Sequence, residues 1–325
     1  MMNANDPAYP RILFMGTPAF AVASLDALVK EGFNVVGVVT APDKPAGRGM
    51  KLNESAVKKY AMDKGLRILQ PEKLKSPDFI AALKELNADL QAVVAFRMLP
   101  EIVWNMPSLG TINVHASLLP DYRGAAPINW AIINGEKETG VTTFKLTHEI
   151  DTGNILLQQR VAIGEAETAG ELHDKLMAAG ASLLTKTIRG IVDRSIYEQS
   201  QEEIIRKNKV TGDQGLPAEP PHAPKIFTGT CHIQWNKNVS EVYNLVRGLS
   251  PFPCAFTELE GKMFKIYKAE MEPAAGPLTA GAFYTDNKTY LKFACKDGWL
   301  HAKEVQMEGK KRMPLEDFLR GYRFA

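Results

Sequence analysis

Uninterrupted apolar runs alternate with amphipathic stretches from the start of the chain, and this alternation constrains the fold more than any other feature. Ile12 to Met15 in RILFMGTPAF form the first run, which ends in a Gly-Thr-Pro turn; AVASLDALVKEGF then carries apolar residues at helical spacing, and NVVGVVT is a second apolar run. A strand buried on both faces needs such a run, and the order strand-helix-strand places these strands in a parallel sheet covered by helices. The pattern continues with a helix over 54–64, a strand at RIL, a helix over 78–87, strands at LQAVVAF and GTINVHAS, and a helix at APINWAIINGE. VTTFKLT and ILLQQRVAI then read as antiparallel strands. TAGELHDKLMAAGASLLTKTIRGIV is a long amphipathic helix in which Leu172, Leu176, Ala179, Leu183 and Leu184 recur at helical intervals. The expected first domain, 1–206, is a doubly wound α/β fold with a mostly parallel sheet.

The pattern stops at residues 207–224, KNKVTGDQGLPAEPPHAP, where four prolines, glycines and polar residues follow no period, as expected of a linker. From Lys225 the texture changes to short β-like runs (GKMFKIYKAEM, GAFYTD, TYLKFACKDGWLHAKEVQME) interrupted by one helical stretch, VSEVYNLVRGL. A second, small β-barrel domain of OB type over 225–325 is the expectation. A chain of 325 residues accommodates two such domains.

With 45% hydrophobic and 23% charged residues, the chain is neither disordered nor fibrous. The net charge of +2 is unevenly divided: residues 204–325 hold 18 basic and 13 acidic residues, whereas 1–203 hold 21 and 24. A basic C-terminal part fits an anionic partner, or a solvated lysine-rich surface. Cys231, Cys254 and Cys295 are too few and too far apart for a disulfide framework, a redox pair or a zinc site. MMNANDPAYPRILFMG lacks the basic-then-apolar pattern of a secretory signal, and no apolar run approaches about 18 residues, so a cytosolic protein is expected. No long exposed apolar stripe is evident, so a monomer is expected.

GTPAFAVASL holds one glycine where a dinucleotide-binding fingerprint needs three, and Pro18 and Phe20 would obstruct a pyrophosphate, which argues against a nicotinamide enzyme. INVHASLLPDYRGAAPINW is richer. In a strand, Asn113 and His115 share a face because side chains alternate. An amide can donate to an oxygen that gains negative charge, and a neutral imidazole can move a proton near neutral pH, a combination suited to acyl transfer. Asp151, in the Asp-Thr-Gly turn of HEIDTGNILL, would raise the basicity of His115 and orient it. There is no GxSxG elbow and no cysteine near His115, so direct transfer to an incoming nucleophile fits better than an acyl-enzyme. Spacing alone fits a structural histidine at a strand end equally well.

INVHASLLPDYRGAAPINW and IDTGN resemble the formyltransferase family that uses 10-formyltetrahydrofolate, and GTPAF, PDKPAGRGMKL and AFRMLP resemble its branch acting on methionyl-tRNA. KIFTGTCHIQW, VRGLSPFPCAF and QMEGKKRM are similar to that branch's second domain. The resemblance implies formyl transfer from 10-formyltetrahydrofolate to the amino group of methionyl-initiator tRNA, with no metal and with Asn113, His115 and Asp151 as the catalytic trio. It further implies a folate site bordered by Ser117, Leu118, Leu119 and Pro120 and walled by Phe96, Met98 and Leu99. PDKPAGRGMKL would carry Lys44, Arg48 and Lys51 to the acceptor end of the tRNA, with Lys262, Lys265, Lys310, Lys311 and Arg312 as further phosphate contacts. The sequence departs from the family pattern at Asn154, commonly aspartate, and at Phe96-Arg97, commonly tyrosine-glycine. Formyl transfer to a small amine, such as an amino sugar or a purine-precursor nucleotide, is the alternative within the class; a tRNA-binding module with vestigial machinery is the alternative outside it.

Overall fold

The computed structural model describes residues 10–46, 51–211, 219–274, 276 and 278–324. In chain order the first elements are β1 (Ile12–Gly16), α1 (Ala19–Lys30), β2 (Val35–Val39), β3 (Lys44–Ala46), β4 (Lys51–Asn53), α2 (Ala56–Asp63), β5 (Ile68–Leu69), α3 (Pro77–Leu86), β6 (Leu90–Val94), α4 (Glu101–Trp104) and β7 (Thr111–His115). Next come β8 (Arg123–Gly124), α5 (Pro127–Ile133), β9 (Glu138–Lys145), β10 (Ile155–Ala162), α6 (Ala169–Val192), α7 (Gln201–Thr211) and β11 (His222–Ala223). The last are α8 (Thr228–Cys231), α9 (Val239–Leu249), β12 (Ala255–Leu259), β13 (Lys262–Pro273), β14 (Phe283–Thr285), β15 (Leu291–Ala294), β16 (Gly298–Met307), β17 (Met313–Pro314) and α10 (Leu315–Gly321).

By packing, the chain forms two units. One comprises the described residues up to Arg123 with Gly140–Val161 and Asp174–His222; the other comprises Gly124–Thr139, Ala162–His173 and the residues from Ala223 onward. The first unit is built on a seven-stranded sheet in the order β10-β9-β7-β6-β1-β2-β5. Strands β5, β2, β1, β6 and β7 are parallel, and β9 runs antiparallel to β7. The expected doubly wound, mostly parallel sheet is therefore present. The order reverses between β1 and β6, the switch point at which adjacent connections leave to opposite faces and open a crevice beyond the carboxyl ends of the strands. One face buries Leu13, Met15 and Val93 against Phe79, Ile80, Leu83, Leu86 and Val103. On the other face α6 crosses β7 and β9, and the Thr143 and Thr187 hydroxyls meet at 2.7 Å.

The second unit curls an antiparallel sheet, β12-β13-β16-β15-β14 with β17 on β16, into a half-barrel of the expected OB-like kind. Alternation along β16 puts Leu300, Ala302, Val305 and Met307 inside with Phe264, Ile266, Phe293, Phe318 and the apolar stripe of α9. Helix α9 approaches α5 closely at Gly248. A Cβ there would lie 2.6 Å from Ile133 Cγ1, while the Gly248 carbonyl accepts from Asn129 Nδ2 at 2.7 Å. The neighbouring Arg247 is buried; its guanidinium donates to Asn244 Oδ1 and to the carbonyls of Gly164 and Glu167, which ties the 162–173 segment to this unit.

Several elements differ from the sequence expectation. PDKPAGRGMKL contains a short hairpin, β3 paired with β4, because three backbone pairs form without any apolar alternation to signal them. Helix α7 occupies 207–211, the first residues of the expected linker. QEEIIRKNKVT has no continuous apolar stripe, and its start relies on Glu202 and Glu203 in the first turn and on Ser200 Oγ accepting from the Glu203 N–H. The remaining linker residues 212–218 lie outside the described residues. Helix α10 follows Pro314 and closes the half-barrel core with Leu315, Phe318 and Leu319.

Phe264 is fully buried, with ring centroids 5.4 Å from Phe318 and 6.2 Å from Phe293. Phe264→Ala is expected to cost about 3–5 kcal/mol, read as a lowered denaturant midpoint of the transition that exposes the half-barrel.

Candidate active site

Strand β7 carries the first two groups. Asn113 lies between Val93 of β6 and Phe144 of β9, and His115 lies opposite Thr142. Both point to the face that carries Leu13, Met15 and Val93. Val114 points to the other face, where a Cβ on Gly180 of α6 would stand 3.0 Å from it. The common face inferred from period two is thus the one observed. Asn113 is half-buried, and its side-chain amide makes no hydrogen bond to a described residue. His115 is 8% exposed and meets the edge of Phe144 at a centroid distance of 6.4 Å.

The tautomer of His115 follows from its partner. Nε2 lies 2.9 Å from the Tyr122 carbonyl oxygen, which can only accept, so Nε2 carries the proton. In the neutral ring Nδ1 then has the free lone pair. Asp151 Oδ2 stands 3.8 Å from Nδ1, beyond hydrogen-bond length and within ion-pair range. The ring is hydrogen-bonded to the Tyr122 carbonyl, while the Asp151 carboxylate, expected to orient it, stands at ion-pair range. Asp151 instead lies where it would stabilise an imidazolium once Nδ1 has taken a proton.

The Tyr122 carbonyl is itself held in place by the loop after β7. Thr142 Oγ1 donates to the Ser117 carbonyl at 2.6 Å and accepts from the Leu119 N–H and from Gln158 Nε2. Ser117 Oγ closes the loop on the Asp121 carbonyl, and the Tyr122 N–H donates to Pro221. Tyr122 has φ 60°, a left-handed conformation that turns its carbonyl back toward β7.

Asp151 arrives by a return path. Because β9 is antiparallel to β7, it leaves the sheet level with the start of β7, where the Leu146 N–H donates to Thr111, and the following loop must fold back to reach His115. Asp151 is left-handed, φ 56°, and Gly153 leaves no room for a side chain: a Cβ would lie 1.7 Å from the Lys145 carbonyl oxygen. Gln201, buried at the start of α7, donates Nε2 to the carbonyls of Asp151 (2.9 Å) and Gly153 (2.8 Å). Its Oε1 accepts from Arg123 Nε at 2.9 Å and Nη2 at 2.6 Å. Burial pushes the Arg123 guanidinium below its ordinary pKa, opposed by the charges of Asp151, Glu149 and Glu202. Neither Gln201 nor Arg123 was singled out from sequence. Arg123 adjoins the quoted motif, but nothing in the spacing signals Gln201, fifty residues after the turn it holds.

Of the residues expected at a folate site, Ser117, Leu119 and Pro120 are buried and Leu118 is half-buried; Leu119 packs with Phe144 and Ile155. Leu99 is buried in the apolar layer under β1 and β6, with Phe96 packed against it, and Met98 is 73% exposed. The two departures from the family pattern each have a structural partner. Arg97 donates to the carbonyls of Pro71 and Glu72 (2.9 Å to the latter), and Asn154 Nδ2 donates to Glu198, which also pairs with Lys145 at 2.5 Å.

Among the residues expected to meet tRNA, Lys44 is exposed on β3, Arg48 lies outside the described residues, and Lys51 is described in its backbone only. The hairpin is rooted at Asp43, which accepts from Gln70 Nε2 at 2.8 Å and pairs with Lys58; the Lys58 ammonium holds the Asp43 carboxyl below its usual range. In the second unit Lys262, Lys310 and Lys311 are exposed and Lys265 is half-buried. Arg312 makes a two-pronged pair with Glu304 and lies 4.3 Å from the Tyr267 ring centroid, so its guanidinium is already engaged. No cluster of metal-ligating side chains occurs among the described residues, and none of their helices is long and apolar enough to cross a membrane.

Gly153→Ala tests the Asp151 turn. The clash with the Lys145 carbonyl should displace Asp151 and cut turnover by roughly 100-fold, the order expected of a 1 Å misplacement, while far-UV circular dichroism stays unchanged.

Two family patterns match the chain, "Formyl transferase" over residues 10–188 and "Formyl transferase, C-terminal domain" over 225–323. Methionyl-tRNA formyltransferase of Parabacteroides distasonis is 55% identical over 319 residues, covering 96% of both chains, and that of Flavobacterium johnsoniae is 48% identical over 319 residues, covering 97% of both. Among solved structures, the sugar 3N-formyl transferase WlaRD, determined with dTDP and 5-N-formyl-THF, superposes with a TM-score of 0.64 at 22% identity over 93% of this chain and 99% of its own. HypX from Aquifex aeolicus in complex with tetrahydrofolic acid gives 0.58 at 17% identity over 96% and 48%. With the two patterns in sequence and full-length relatives near half identity, this chain belongs to the formyl transferase family.

Proposed function

We propose that the protein transfers the formyl group of 10-formyltetrahydrofolate to the α-amino group of methionyl-initiator tRNA, acting in the cytosol as a monomer. The observation that carries the chemistry is the pairing on one strand face of Asn113, whose amide makes no hydrogen bond to a described residue, with an imidazole whose Nδ1 is the basic nitrogen. The acceptor reading is supported by full-length relatives named for it, and by the exposed Lys44 hairpin and the basic half-barrel.

In this reading the methionyl amine attacks the formyl carbon, forming a new C–N bond and a tetrahedral oxyanion. Asn113 Nδ2 donates a hydrogen bond to that oxygen. His115 Nδ1 takes the proton released by the attacking nitrogen, Asp151 stabilises the resulting imidazolium, and the proton returns to N10 of the folate as its bond to the formyl carbon breaks. The 117–120 loop, pinned by hydrogen bonds to Asp121, Thr142 and Gln158, is a rigid border for the donor, while Phe96 and the exposed Met98, with Leu99 beneath, form an apolar wall. Lys44, Arg48 and Lys51 follow the acceptor end, and Lys262, Lys265, Lys310 and Lys311 meet phosphates farther along. Arg312 contributes only by giving up Glu304.

The test is formation of formyl-methionine from 10-formyltetrahydrofolate with Met-charged initiator or elongator tRNA. Formylation of the initiator alone is expected; formylation of a small amine with neither tRNA accepted would replace this reading. Asn113→Ala and His115→Ala should each lower kcat by about 100- to 1,000-fold with the Kd for tRNA within about twofold of the parent, and an equal loss of binding would contradict the assigned roles.

A further inference from the structure

The two groups that flank the His115 ring come from loops far apart in sequence, and one buried side chain joins them. Gln201 is 1% exposed, and its amide is saturated: both Nε2 hydrogens go to the carbonyls of the Asp151 turn, and both Oε1 lone pairs receive the Arg123 fork. A rotated amide would face NH2 to the guanidinium and oxygen to two carbonyls, so only one orientation is possible. Arg123 directly follows Tyr122, whose carbonyl holds Nε2 of His115, and the clamped turn holds Asp151 at Nδ1. The negative charge of Asp151 acts on the Arg123 guanidinium, opposing the effect of its burial. Gln201 also lies outside both family patterns, which end at 188 and resume at 225.

We propose that Gln201 is a positioning residue for formyl transfer: by bonding the Asp151 turn on one side and Arg123 on the other, it sets the Tyr122–His115–Asp151 alignment in which Nδ1 is the base. This rests on the function proposed above. Gln201 touches no reacting atom in this role, so its loss should change the chemical step and leave substrate affinity alone.

The experiment uses the full chain with Gln201→Ala and Gln201→Glu. Glutamate keeps the acceptor for Arg123 but has no hydrogens for the two carbonyls. Both variants are expected to lower kcat by about 10- to 100-fold, with KM for 10-formyltetrahydrofolate and for Met-initiator tRNA within about threefold. In parallel, 15N NMR of His115 should show a single Nε2–H tautomer in the parent and a mixture in the variants. That readout is taken on the free protein and does not depend on the acceptor, so a failed tRNA assay with the parent would overturn the proposed function while the clamp is still tested. Should Gln201→Ala not fold, Gln201→Glu, close to the native volume, carries the comparison. Unchanged kcat, with or without a lower melting temperature, would make Gln201 merely structural. A fall in kcat with the His115 tautomer unaltered would also overturn the proposal.

Discussion

The hydrogen bond from His115 Nε2 to the Tyr122 carbonyl is the contact on which the site is organised. A carbonyl cannot donate, so this single bond decides which ring nitrogen carries the proton and leaves the lone pair on the other. Its geometry depends on a chain of ordinary interactions: Thr142 and Ser117 close the loop, Tyr122 takes a left-handed turn, and the sheet fixes β7 beneath it. The Asp151 carboxylate stands 3.8 Å from the other ring nitrogen, at ion-pair range.

The sheet gives this arrangement its rigidity. Parallel strands buried on both faces end together, so Asn113 and His115 project from a surface that cannot shift without disturbing the apolar layers on either side. The β9–β10 loop reverses the usual economy of an α/β fold. Its catalytic candidate comes from a strand running the wrong way, and the loop needs Gly153, a left-handed Asp151 and Gln201 to return it to the site. The second unit is simpler, an alternating antiparallel half-barrel closed by α9 and α10 around Phe264 and Phe293.

Much of this was legible in the sequence because the physics involved is local. Apolar runs of four to five residues marked β1, β2 and β6, and period two placed Asn113 and His115 together. What escaped had no local pattern. The β3–β4 hairpin is held by backbone pairs within a Gly- and Pro-rich segment, and α7 has no apolar stripe. Arg97 and Asn154, which depart from the family pattern, acquire partners in Glu72 and Glu198 that lie 25 and 44 residues away.

By itself the sequence determined the fold class, the β-rich second unit and the residue types available for acyl transfer, since alternation and side-chain chemistry are properties of neighbouring positions. Only the tertiary structure decided the protonation pattern of His115, the partner that orients it and the clamp at Gln201. Each of these depends on a hydrogen bond between segments that only the folded chain brings within 3 Å, and a bond's direction is set by which group arrives there.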